Sequence, residues 1–78
     1  MNEQPIKVFV ADDHPIVRQG IISLIQEDKS FLLVGQTGEG REILPLLNEI
    51  HPEIVLLDIS MPDMNGLEVV RAAKKEKI

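Results

Sequence analysis

Three short apolar runs, IKVFVA (6–11), FLLVGQT (31–37) and EIVLLD (53–58), are separated by segments far too long for hairpin turns. Antiparallel neighbours can be joined by about two residues, whereas parallel neighbours need a crossover of about a dozen or more, usually a helix. Each separating segment carries helical periodicity. In HPIVRQGIISLIQED (14–28), Val17, Gly20, Ile21, Leu24 and Ile25 share one face. In GREILPLLNEI (40–50), Ile43, Leu46, Leu47 and Ile50 stand at i, i+3, i+4, i+7. A third such segment, GLEVVRAAKKEK (66–77), follows the last run, with Leu67, Val70 and Ala73 inward. The order is βαβαβα, which predicts a parallel α/β sheet with right-handed connections and helices on both faces. Near-continuous apolar strands agree with a sheet covered on both sides.

Prolines mark the helix starts. Pro15 suits a first turn, where its missing N–H costs nothing, and makes Asp13 or His14 the cap. Pro45 lies inside the second helical pattern, so that helix either begins late, near Glu42, or kinks. On the first helix, Pro15, Gln19, Ile22 and Gln26 lie opposite the Val17–Ile21–Leu24 stripe. Ile22 is therefore expected on the solvent face, as a scattered surface residue or a partner contact.

Composition narrows the function classes. Seventy-eight residues allow one small domain, and 44% apolar with 27% charged residues is ordinary for a globular chain. The absence of cysteine excludes disulfides and thiolate metal sites. No run approaches the roughly 18 apolar residues of a membrane span, and no basic leader precedes an apolar one, so the chain is expected to be soluble and cytoplasmic. A net charge of −5 disfavours direct nucleic-acid binding. The one basic cluster, Arg71-Lys74-Lys75-Lys77, better suits a helix C-terminus.

The chemistry-bearing residues sit at strand ends. Asp12 and Asp13 close the first strand and Asp58 closes the third. Ligands of parallel α/β sheets bind at these carboxyl ends, at the switch point between helices on one face and the other. If strands 1 and 3 are neighbours, three carboxylates converge. Their repulsion destabilises the fold unless a cation joins them. An oxygen-only donor set favours Mg²⁺ or Mn²⁺ with retained waters, suited to holding a phosphoryl oxygen. A carboxylate beside such an ion can attack phosphorus to give an acyl phosphate. Each part also has a plain structural reading. Asp12-Asp13 before proline can be a turn or cap, Asp58 a turn residue, and Asn65-Gly66 a turn into the third helix. His14 reads as a capping or exposed residue rather than a metal ligand.

VFVADDHPIVRQGI together with PEIVLLDISMPDMNGLEVV resembles the receiver domain of two-component response regulators, in detail the NarL/FixJ-type branch. The resemblance implies a partial flavodoxin-like fold, with three parallel strands in order 2-1-3 and three helices, lacking the last two βα units. Residues 1–78 would form a truncated receiver, with its downstream part and any DNA-binding output domain outside the chain. It further implies that Asp58 accepts a phosphoryl group from a sensor histidine kinase, to control transcription through that output domain. Asp13, Asp58 and the backbone carbonyl of Ser60 would hold Mg²⁺, with Asp12 acting through water. The family's Ser/Thr at the end of strand 4 and Lys at the end of strand 5 fall outside these residues. That departure puts phosphorylation of the isolated chain in question. By the same resemblance the domain would be a phosphoacceptor rather than an enzyme.

Other classes fit less well. A haloacid-dehalogenase-type enzyme wants an acid two residues after the nucleophile, where this chain has Ser60. A P-loop protein needs a glycine-rich phosphate loop, which the sequence lacks. The remaining alternative is a catalytically silent, self-associating fragment or engineered half-domain. Ile54, Val55, Leu56 and Leu57 of the third strand would be its interface, because an apolar edge without charge or proline invites pairing.

Overall fold

The computed structural model describes residues 4–58. Within them lie β1 (Ile6–Ala11), α1 (Pro15–Glu27), β2 (Phe31–Thr37), a 3₁₀ turn (Gly40–Glu42) running into α2 (Ile43–Ile50), and β3 (Ile54–Leu57). The expected third helix lies outside the described residues. All three strands are parallel, in the order β2-β1-β3. The α/β class expected from the alternation and the 2-1-3 order that the resemblance implies are therefore the ones observed.

Central β1 feeds both layers. Phe9 and Ala11 point to one side, where they are enclosed with Ile43 and Leu47 and flanked by Leu44, Leu46, Ile50, Val55 and Leu57. Val8 and Val10 point to the other, against Ile25, with Ile21, Phe31 and Leu33 around them. The β1–β2 register shifts after Val8, so that Phe9 pairs with Gly35. A Cβ at Gly35 would stand 2.7 Å from Ile50 Cδ1 and 2.9 Å from Phe9 Cδ2. Glycine there lets α2 and the Phe9 ring close over the sheet.

Pro45 is resolved by a late start. The helix proper begins at Ile43, which places Pro45 in the first turn, where its N–H would have no intrahelical acceptor. The chain leaves α2 through His51, in the left-handed region at φ 56°, with its N–H donating to Leu47 O at 2.9 Å.

The phase of α1 corrects the sequence expectation. Ile22 is only 5% exposed, whereas Leu24 is 69% and Val17 50% exposed. The inward face is Arg18, Ile21, Ile22 and Ile25, again at i, i+3, i+4, i+7. Apolar residues at 16, 17, 21, 22, 24 and 25 make an arc wider than one sheet face can cover, so packing decides which part is used. Two side-chain bonds pin that rotation: Arg18 Nη1 donates to Asp12 O at 2.7 Å, and Arg18 Nε donates to Gln36 Oε1 at 3.2 Å. Ile22 is thus core, and the surface or partner-contact role expected of it is withdrawn.

On β3, Val55 and Leu57 pack with the α2 layer, but Ile54 and Leu56 on the opposite side are exposed. No helix among the described residues is long and apolar enough to cross a membrane.

Candidate functional site: a carboxylate cluster at the ends of two strands

The site begins with strand register. Ala11 pairs with Leu57, so the next residue on each strand, Asp12 and Asp58, emerges at the same edge of the sheet. Backbone bonds fix both exits: Asp58 N–H donates to Ala11 O at 2.9 Å, and Asp12 N–H donates to Thr37 O at 3.1 Å. Since α1 and α2 lie on opposite faces, the β1/β3 seam is the switch point of this sheet.

Asp12 is largely enclosed, and it turns the chain. Its Oδ1 accepts the His14 backbone N–H at 2.8 Å and the His14 ring Nδ1–H at 2.7 Å. This short loop delivers His14 as the N-cap of α1 and Pro15 as its first residue; the His14 ring makes no capping bond. Arg18, one turn in, grips the Asp12 carbonyl from the helix. A side chain at Gly38 would collide with the Arg18 guanidinium, so the β2 exit leaves room for this brace. The turn reading therefore holds for Asp12, and His14 takes the N-cap position without a side-chain capping bond. The turn accounts for neither Asp13 nor Asp58.

Asp13 Oδ1 is enclosed and has no hydrogen-bond donor. Such an oxygen costs about 1–3 kcal/mol or more when charged, unless something positive reaches it. Three carboxylates surround one ring nitrogen: His14 Nδ1 lies 2.7 Å from Asp12 Oδ1, 3.2 Å from Asp13 Oδ1 and 3.2 Å from Asp58 Oδ2. The His14 pKa is accordingly raised above 6.5. The Asp12 hydrogen bond is the largest cause and the Asp13 charge the next; desolvation opposes them, and the Asp12 and Asp58 charges add smaller increases.

One donor atom from each of Asp12, Asp13, His14 and Asp58 lies within 4.8 Å of all the others. Two ligands of one octahedral ion stand about 3–4 Å apart, so small side-chain adjustments suffice to surround a divalent cation. Asp12, Asp13 and Asp58, expected together from the sequence, do come together. Ser60 lies outside the described residues. His14, expected as a capping or exposed residue, stands at the N-cap position without a side-chain cap bond and is 58% exposed. The inward turn of its ring is not among the sequence expectations; its signal is the position two residues after Asp12, within reach of an Asx turn. Beside the carboxylates opens a trough of about 560 Å³, lined on its apolar side by Val10, Val17, Ile21 and Leu56.

Residues 8–78 match the family model of the response regulator receiver domain. The nitrate/nitrite response regulator protein NarL of Escherichia coli K12 is 32% identical over 77 residues, which are 99% of this chain and 36% of that protein. Among solved structures, the signal receiver domain of a NarL response regulator from Mycobacterium tuberculosis superposes with a TM-score of 0.91 at 32% identity, over 97% of this chain and 61% of that one. RcsB from Salmonella enterica serovar Typhimurium, bound to promoter rprA in the presence of the phosphomimetic BeF3−, gives 0.82 at 25% identity, over 92% of this chain and 37% of that one. The chain spans about a third of the length of the curated relatives it matches.

Proposed function

This chain belongs to the response regulator receiver family, a family of phosphoacceptor domains, and from that premise we propose that Asp58 is its phosphoacceptor. The observation that carries the reading is the convergence of Asp12, Asp13 and Asp58 on one point, with an enclosed oxygen of Asp13 left without a hydrogen-bond donor. Asp13, Asp58 and the Ser60 carbonyl would hold Mg²⁺, or Mn²⁺ in its place, and Asp12 would act through a bound water. The ion would offset charge on the phosphoryl oxygens.

The protein's own part is nucleophile and mount. An Asp58 carboxylate oxygen attacks phosphorus, and the O–P bond forms as the P–N bond to a sensor kinase's histidine breaks. The departing imidazole keeps the electron pair and takes up a proton. β3 holds Asp58 through the Asp58–Ala11 backbone bond, so the nucleophile enters at a fixed angle. RcsB, a relative seen on a promoter beside a phosphomimetic, supports a further step in which phosphorylation governs transcription. DNA contact would belong to an output domain, since these 78 residues carry a net charge of −5.

Intact mass after incubation with a small-molecule phosphodonor and Mg²⁺ tests the assignment. The expected result is one added phosphoryl group on the wild type and none on Asp58→Asn. Equal addition to both proteins contradicts it.

A second reading is favoured by the exposure of Ile54 and Leu56 on β3, an outer strand of the sheet among the described residues. In that reading the chain is a catalytically silent fragment that self-associates through Ile54, Val55, Leu56 and Leu57. Sedimentation at micromolar concentration decides: dimers lost in Leu56→Lys support it, and a monomeric wild type removes it.

A further inference from the structure

His14 occupies the place a cation would take. Carboxylates only accept hydrogen bonds, so the ring directs an Nδ1–H at Asp12, with Asp13 and Asp58 beyond it at 3.2 Å. An ion held directly by Asp13 and Asp58 would lie about 2.0–2.1 Å from one oxygen of each. His14 Nδ1, 3.2 Å from both Asp13 Oδ1 and Asp58 Oδ2 and 2.7 Å from Asp12 Oδ1, fills the space between these oxygens on its own side of the cluster. Ion and ring nitrogen cannot both hold the present position. The ring is 58% exposed and can withdraw toward solvent about its side-chain torsions.

We propose that His14 sets the metal preference of this site, yielding its place to Mg²⁺ but staying as a nitrogen ligand to Ni²⁺. The inference rests on the phosphoacceptor reading only in taking Asp13 and Asp58 as the ion's oxygen ligands. Mg²⁺ is hard, strongly hydrated and poorly served by imidazole, so for it the ring is a competitor that must be displaced. Ni²⁺ accepts imidazole readily, and a ring drawn back by about 2 Å would present its Nδ1 lone pair to an ion between the carboxylates. The proton then sits on Nε2. Among the described residues no other imidazole approaches the cluster.

Calorimetric titration of the wild type, His14→Ala and Asp58→Asn with Mg²⁺ and with Ni²⁺ separates the possibilities. His14→Ala should bind Mg²⁺ a few-fold more tightly and Ni²⁺ at least roughly tenfold more weakly, so the two affinities move in opposite directions. His14→Ser, which restores a good helix cap, should behave as His14→Ala and exclude damage to α1 as the cause. Imidazole ¹⁵N spectra give an independent readout, with the His14 ring nitrogens carrying a contact shift from paramagnetic Ni²⁺ that the His51 ring lacks, and the His14 ring released, not ligated, with Mg²⁺. Affinities that change in the same direction for both ions, or not at all, overturn the His14 proposal while Asp58-dependent binding leaves the metal reading intact. No Mg²⁺ or Ni²⁺ binding by the wild type overturns both.

Discussion

The two faces of the sheet are built by the same central strand and covered to different degrees. On the α2 face, Phe9, Ala11, Ile43 and Leu47 are fully enclosed. The α1 face encloses Val8 and Val10 over β1 and β2, but leaves Val17, Leu24, Ile54 and Leu56 exposed. The difference follows from where each helix crosses. α2 packs on all three strands, against Phe9 and Ala11 of β1, Gly35 of β2, and Val55 and Leu57 of β3, whereas α1 leans over β1 and β2 and is rotated so that Ile22 and Ile25 point inward. Stability is therefore concentrated on one face. The carboxylate site lies at the end of the seam where cover changes, so its residues are mounted on rigid strands and yet open to a partner.

Substitution on the two faces should break this symmetry most visibly. Phe9→Ala is expected to cost about 3–5 kcal/mol, enough to unfold a domain this small. Leu24→Ala should stay within about 0.5 kcal/mol, because its side chain is already in water and alanine favours the helix. Urea denaturation compares them, and similar losses would mean that the α1 face is covered in solution.

Gly35→Ala sharpens the same contrast from the closed side. Its methyl group would enter the space of Ile50 Cδ1 and the Phe9 ring, for an expected loss of about 1–3 kcal/mol. Gly20→Ala on α1 is the matching control: nothing lies within 4 Å of an added Cβ, and the helix should gain about 0.5–1 kcal/mol. Thermal melts of the pair would show opposite signs.

The smallest of these effects is pH dependence at the site. His14 has a raised pKa in the folded state, so the unfolded chain releases that proton at lower pH than the folded one. Its stabilising contribution is fully present below about pH 6.5 and is lost as pH rises through the folded value. Metal-free melts across this range should fall with pH in the wild type and lose that slope in His14→Ala. A slope unchanged by the substitution would place the titrating group elsewhere.

Most of the frame was legible in the sequence because strand and helix patterns are local. IKVFVA and FLLVGQT can hardly be anything but strands, and their lengths with PIVRQGIISLIQE between them leave only a parallel crossover. Asp12, Asp13 and Asp58 were legible because strand ends in such sheets converge. The rotation of α1 was not, since six apolar residues spread over a wide arc and the choice among them is made by Arg18 reaching Asp12 O and Gln36. The inward turn of His14 was missed for a similar reason. It depends on three carboxylates brought together from two strands, only two of which are its neighbours in sequence.

The central claim is that these strand-end carboxylates form one cation-holding site, and Mg²⁺-dependent thermal stability tests it most directly. An ion that binds only the folded chain stabilises it by about 2.7 kcal/mol at a hundredfold excess over its Kd. Wild-type protein should therefore melt at progressively higher temperature as Mg²⁺ is added, while Asp13→Asn and Asp58→Asn should lose most of that gain. An equal rise in all three proteins, or none in the wild type, would contradict the account.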